Sequence, residues 1–191
     1  MRSGRLRAAL PAVVAIAIAI APQPAASAAA RTKPMGLVLR SSSFKPNGEI
    51  PKVHTGDGKD LSPPLAWTGA PAETRSFALI VDDPDAPDPK APRMVWVHWV
   101  IYDLPAQTTA LPEGATAKTL PEGTREGLND WKQTGWRGPS PPVGRHRYVF
   151  KLYALDTVLP DLETRDKAHL LAAMEGHVLA TSELVGTYAR H

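Results

Sequence analysis

The run of apolar and polar positions along the chain predicts mostly strands. Ser76 to Val81 (SFALIV) is an unbroken apolar stretch that leads straight into Asp82-Asp83-Pro84. Met94 to Tyr102 (MVWVHWVIY) is nearly continuous in β-branched and aromatic residues and ends at Asp103-Leu104-Pro105. A run that short, with proline on both sides, reads as a strand buried on both faces. Arg145 to Leu155 alternates instead. His146, Tyr148, Phe150, Leu152 and Ala154 share one face and Arg145, Arg147 and Lys151 the other, the period of a half-exposed strand. Gly36 to Arg40 is a weaker strand candidate, and Thr181 to Tyr188 a closing strand. The helical spacing is confined to Thr164–Glu175, with Leu170, Leu171 and Met174 as its stripe, Thr164 as cap and Gly176 as terminator.

From Ala106 to Gly144 no periodicity stands out. A segment of that length inside a compact domain is functional or disordered. Trp131, Trp136 and the prolines favour an ordered one. The chain has 20 Pro, many in two clusters: Pro84, Pro87, Pro89 and Pro92, then Pro139, Pro141 and Pro142. Proline fixes φ and removes a donor, so these connections are stiff.

The first thirty residues stand outside this pattern. Arg2, Arg5 and Arg7 precede an apolar stretch from Leu10 to Ala21, and small residues follow, with Ala26-Ser27-Ala28 in the form of a cleavage site. The stretch is shorter than the roughly twenty apolar residues that span a bilayer. The expectation is therefore a signal peptide over residues 1–30, a single domain over 31–191, and export to the periplasm or the medium. The charge balance changes accordingly. Of 22 Lys+Arg against 19 Asp+Glu, three Arg and no acid fall in the leader, which leaves 19 of each. A balanced mature chain offers no polyanion-binding surface, so nucleic acid is excluded as a partner. With no Cys in the chain, neither disulfides nor thiolate chemistry contribute.

Two constellations carry candidate chemistry. In the first, Asp82-Asp83-Pro84-Asp85-Ala86-Pro87 follows a strand, and His98 lies within the next apolar run. A buried imidazole needs partners for its nitrogens. A carboxylate from the preceding loop would serve and would raise its pKa. Alternatively, the Asp-Pro-Asp stretch is a rigid turn whose side chains bond the local backbone. The second runs from Gly135 to Tyr148 (GWRGPSPPVGRHRY). Glycines there allow close approach of a ligand, prolines hold the loop open, and His146 and Tyr148 follow on an inner strand face. Alternatively, this is a polyproline connector next to a core-facing His and Tyr.

Taken together, Asp83-Pro84-Asp85-Ala86-Pro87, His98 in an aromatic strand, and Gly138-Pro139-Ser140-Pro141-Pro142-Val143-Gly144-Arg145-His146-Arg147-Tyr148 resemble the paired signature of the phosphatidylethanolamine-binding protein family. The likeness is to its bacterial, Raf-kinase-inhibitor-like branch. Gly56-Asp57-Gly58, Leu61-Ser62-Pro63-Pro64-Leu65 with Trp67, Gly127-Leu128-Asn129-Asp130-Trp131, Gly176-His177-Val178-Leu179-Ala180 and Gly186-Thr187-Tyr188 add to it, so the resemblance covers about residues 35 to 190. It implies a mostly β fold, a central antiparallel β-sandwich with long Pro/Gly-rich loops and one or two short helices. It also implies a preformed pocket for small phosphate-like anions, including a phospholipid head group. Carried over by position, the pocket residues are Asp83, Asp85, Pro87, His98, Gly138, Pro139, Pro141, His146 and Tyr148, and Ala86-Pro87 is a candidate cis bond. Two departures stand out: Ser140 sits where many bacterial relatives have Cys, and Trp136-Arg137 replaces a pair that is usually Tyr-Gly. Arg137 either adds a cation at the rim or faces solvent.

The expected function is binding of a small anion without cofactor, with two imidazoles and the Tyr hydroxyl as donors. Modulation of a protein partner is a further possibility, tested by loop positions such as Trp131 or Arg137. The rival class is a hydrolase or metal-dependent enzyme using Asp83, His98 and His146. The chain lacks the H-E-x-x-H, G-x-S-x-G and Walker-type motifs. Edge strands and exposed Trp leave a homodimer open.

Overall fold

The computed structural model describes residues 36–190, so the leader lies outside the described residues. Two antiparallel sheets form the body. The smaller has the order β1-β2-β5, from β1 (Val38–Ser41), β2 (Leu65–Thr68) and β5 (Ala110–Leu111). The larger has the order β6-β4-β3-β7-β8, from β3 (Ser76–Asp83), β4 (Trp96–Pro105), β6 (Arg125–Glu126), β7 (Arg145–Leu155) and β8 (Val178–Ala189). The one α-helix among the described residues, α1 (Lys167–Met174), lies between β7 and β8 in the chain.

The alternation of side chains along β3 explains the layering. Phe77, Leu79 and Val81 join a core that also holds Leu39, Leu65 and Trp67 from the small sheet. Ala78 and Ile80 point the other way, into a second core with Leu155, Leu159 and the helix residues Leu170 and Met174. Every residue of β3 is therefore buried, because the small sheet covers one face and α1 the other. The long β7 keeps the expected alternation, with His146, Tyr148, Phe150, Leu152 and Ala154 buried.

Five expectations shift at their edges, β1 running Val38–Ser41 rather than Gly36–Arg40 and β3 continuing to Asp83 rather than ending at Val81. β4 begins at Trp96 rather than Met94, and Met94 and Val95 are about half exposed. α1 begins three residues later than read, with Asp166 as its cap: the Asp166 carboxylate accepts the His169 amide at 2.9 Å. The closing strand is longer than Thr181–Tyr188 at both ends because it pairs along the whole of β7.

The stretch from Ala106 to Gly144 is ordered. Trp136 is buried, stacks on Phe150 at 5.8 Å and donates its indole N–H to the His54 carbonyl at 3.3 Å. The buried Asn129 accepts the amides of Trp131 and Gln133 through Oδ1 and donates to the Gly135 carbonyl. These anchors supplement the little ladder hydrogen bonding that the two-residue strands β5 and β6 give the segment.

Candidate functional site

The chemistry-bearing residues meet at one end of the large sheet. β3 delivers Asp83 at its C-terminal end, while the antiparallel neighbours β4 and β7 begin there with Trp96, His98, His146 and Tyr148. The register brings His98 inward. Val81 pairs with Trp99 but Asp82 pairs with Val97, so β4 carries one extra residue at His98. This bulge flips the alternation. Val97 joins the helix-side core, and His98 turns against Tyr148, the two rings lying edge to face at 5.1 Å.

A pocket of about 260 Å³ opens here. Its polar lining comes from Asp83, His98, His146, Tyr148 and Ser140, and its apolar walls from Ala86, Pro87, Met94, Trp96, Trp131, Pro141 and Pro142. The Ala86-Pro87 bond is cis. Of the residues expected to form the pocket, Asp83, Pro87, His98, Pro141, His146 and Tyr148 line it. Asp85, Gly138 and Pro139 stand behind the wall. Asp85 takes Nε and Nη2 of Arg147 in a fork at 2.9 and 2.6 Å, as well as the Arg147 amide. That guanidinium holds its carboxyl below the usual carboxylate range, against the opposing effect of burial. Gly138 donates its amide to Asp60 at 2.6 Å, and the Pro139 carbonyl accepts the Gly56 amide at 2.9 Å, so both fasten the loop to the segment beneath.

Asp83 serves both of the roles read from its motif. Its Oδ1 accepts the Asp85 amide at 2.8 Å, which makes the turn. Its Oδ2 accepts from Nδ1 of His146 at 2.7 Å. The other nitrogen of His146 faces the Val143 carbonyl at 3.0 Å, so both ring nitrogens are occupied within the protein. Only the doubly protonated ring donates to both acceptors at once.

His98 differs from expectation. Its partner is not an aspartate but the Arg137 carbonyl, 2.5 Å from Nδ1. Because a carbonyl only accepts, Nδ1 carries the proton. The ring is 3% exposed, and burial pushes its pKa below the ordinary value despite the Arg137 bond and the charges of Asp83, Asp82 and Asp60. Nε2 has no partner within the described protein and is left to the pocket. Tyr148 is fully buried and its hydroxyl has no hydrogen-bond partner. Burial, reinforced by Asp83 and Asp85, pushes that hydroxyl well above its ordinary pKa, so it stays protonated.

One further residue was assigned differently by sequence reasoning, and for a second the structure decides between the two alternatives. Trp131, read as a loop-surface position, lines the pocket and meets the His98 ring at 5.1 Å. Arg137 faces solvent with its guanidinium 5.3 Å from the Trp131 ring centre, a cation–π contact outside the pocket. Met94 and Trp96 also belong to the wall, and their place in an aromatic run gave no sign of it. Among the described residues, no group of three or more His, Asp or Glu side chains is arranged to hold a metal ion.

Comparison with known proteins agrees with this geometry. The model of the family described as phosphatidylethanolamine-binding protein matches residues 40–189. A UPF0098 protein of Methanothermobacter thermautotrophicus is 51% identical over 154 residues, covering 80% of this chain and 98% of the relative. A crystal structure from Chlamydia trachomatis, described as a candidate phosphatidylethanolamine-binding protein homologue, superimposes with a TM-score of 0.75 at 40% identity, covering 82% of this chain and 99% of its own. Escherichia coli YbcL, described as a new member of the mammalian family, gives a TM-score of 0.73 at 31% identity, covering 82% of this chain and 100% of its own. The relatives span archaea and bacteria, a wider range than the bacterial branch alone. The chain belongs to the phosphatidylethanolamine-binding protein family.

Proposed function

We propose that this protein binds a small phosphate-like oxyanion, either free or as the head group of a phospholipid, and that it does so after export. The observation that carries the reading is that Tyr148, whose buried hydroxyl has no partner, and His98, whose Nε2 bonds to nothing among the described residues, line one pocket beside the paired Asp83 and His146. Buried polar groups are expected to be satisfied, and a ligand that satisfies these two removes the cost of leaving them bare. The family name, which concerns a phospholipid with a phosphate head group, points the same way. Export rests on Arg2, Arg5, Arg7, the apolar Leu10–Ala21 stretch and Ala26-Ser27-Ala28. The N-terminal residue of the protein recovered outside the cytoplasm tests it, with a start near Arg31 expected and an intact Met1 against it.

The binding reading is tested by thermal-shift titration of residues 31–191 with phosphate, phosphorylethanolamine and acetate at pH 5.5 and 7.5. His98 is held neutral by burial, and an anion beside it favours the protonated ring. Affinity for phosphate is therefore expected to rise as pH falls. Stabilisation by the phosphate compounds, larger at pH 5.5 and lost in Asp83→Ala and His146→Ala, is the expected result. No stabilisation of a well-folded sample by any of them overturns the reading.

A protein partner is a second reading, favoured by the exposed apolar residues Met94 and Val143 beside the mouth. On that reading Val143→Ser abolishes the effect on the partner and leaves stabilisation by phosphate unchanged.

A further inference from the structure

We propose that Asp60, which does not line the pocket, is the residue that positions His98 in it: a single peptide group, the Arg137 carbonyl with the Gly138 amide, stands between the Asp60 carboxylate and the His98 ring and bonds to both. The inference rests on the anion-binding reading wherever a ligand is measured, and deepens it by naming what holds the ring.

A trans peptide group is planar, so its C=O and N–H point in opposite directions. At Arg137–Gly138 the two ends meet different partners. The N–H donates to Asp60 Oδ1 at 2.6 Å, and the C=O accepts the Nδ1–H of His98 at 2.5 Å. The Arg137 amide also donates to the His98 carbonyl at 3.3 Å, which clasps the loop to β4 at that residue. Hydrogen bonds in a chain polarise one another, and an ionised acceptor at one end strengthens them. The charge of Asp60 therefore makes the Arg137 carbonyl a better acceptor and keeps the ring proton on Nδ1. Nε2 is left to face the pocket.

Asp60 is fixed by its own segment before it reaches the loop. The Thr55 carbonyl accepts its amide at 3.2 Å, and the next amide, of Leu61, bonds the Val53 carbonyl at 3.2 Å. Its φ of 56° lies in the left-handed region, which Asp and Asn enter more readily than most side chains. The loop lies flat on this segment at Gly138, where a Cβ would stand 2.8 Å from Thr55 Cα.

The other groups around His98 do not share this role. Tyr148 and Trp131 meet its ring edge to face, His146 is taken by Asp83 and Val143, and the Arg137 guanidinium lies over Trp131. His98 feels the charges of Asp83, Asp82 and Asp60. Asp83 is committed to His146 and the Asp85 amide, and Asp82 to Lys151 and Lys167. Of the three, Asp60 is the one joined to the ring through hydrogen bonds.

The test is the Nδ1 proton of His98, read by NMR of residues 31–191 at pH 7.5. Asn keeps the left-handed backbone and an acceptor oxygen but no charge, while Gly enters that backbone freely and offers no acceptor. Asp60→Asn is expected to move the proton upfield, toward a weaker bond, and Asp60→Gly to move it further. On acidification, protonation of His98 is expected to begin at a lower pH in Asp60→Asn, because a charge that favours the protonated ring is gone. Phosphate binding is expected to weaken roughly tenfold in Asp60→Gly, the scale of one lost hydrogen bond to a charged group, and by a smaller factor in Asp60→Asn. A role confined to fastening the loop leaves the proton resonance and the onset of protonation native in Asp60→Asn, and that result overturns the proposal. Should Asp60→Gly not fold, Asp60→Asn decides alone. Resonances that shift as stated in a protein that binds no phosphate keep Asp60 as the positioning residue and overturn the anion-binding reading instead.

Discussion

Asp83 and Asp85 are two residues apart and both are buried, yet they stand in different surroundings. Asp83 faces a histidine that is itself fully buried, so neither partner has water to fall back on. Removing one member of a buried pair costs far more than the pair contributes, because the other is left bare. Asp83→Asn is therefore expected to lower unfolding free energy by about 3 kcal/mol, measured by urea denaturation. Asp85 faces Arg147, whose side chain is 60% exposed, so solvent screens much of that attraction. Asp85→Asn is expected to cost about 1 kcal/mol at pH 7. Because the folded pKa of Asp85 is depressed, its contribution is present above the unfolded value of 3.8 and is lost as pH falls through the folded one. The gap between native and variant proteins should thus close in strong acid. Both aspartates were legible in the sequence as candidates. Their different partners were not, since which ring or guanidinium each carboxylate meets depends on strand pairing over sixty positions away.

Strands and loops show the same division. β3, β4 and β7 were readable because a strand packed on one or both faces must be apolar there, and residues 76–81, 94–102 and 145–155 say so directly. β2, β5 and β6 have four, two and two residues, too few for a period to emerge. The helix start was misplaced because Thr164 and Asp166 are both competent caps, and only the fold decides which amide each carboxylate or hydroxyl meets. The bulge at His98 left no trace in composition: an extra residue in a ladder looks like any other residue of an apolar run. The Gly-Pro loop was legible as a stiff segment, but its attachment was not. A Cβ at Gly138 would lie 2.3 Å from the His54 carbonyl oxygen and 2.7 Å from Asp60 Oδ1. Gly138→Ala is expected to cost about 1–3 kcal/mol through that clash, and to weaken phosphate binding by displacing the wall. Urea unfolding and phosphate titration of the same sample measure the two effects.

For the whole molecule, the buried histidine at the pocket ties folding to acidity. His98 has a lower pKa folded than its unfolded value of 6.5, so below that pH the unfolded chain binds more protons than the native one. Stability therefore falls as pH drops from 6.5 toward the folded value, and levels off beneath it. Stability curves of native and His98→Phe proteins between pH 7.5 and 5 should show this fall in the native protein and a shallower one in the variant. The layered arrangement protects the rest: the pocket sits at the end of the large sheet, and the two cores on either side of that sheet contain no part of the ligand site's polar floor apart from Tyr148. The mouth has a kinetic consequence. Pro87, Pro141 and Pro142 hold a wall whose backbone has little freedom to rearrange, so the cavity stands open before any ligand arrives. Entry then needs no gate to swing, and the observed association rate should climb linearly with ligand concentration, without the plateau that a slow opening step imposes. How long an anion stays will be set by the departure step alone, so any change in affinity from altering His98 or Tyr148 should be read in its residence time.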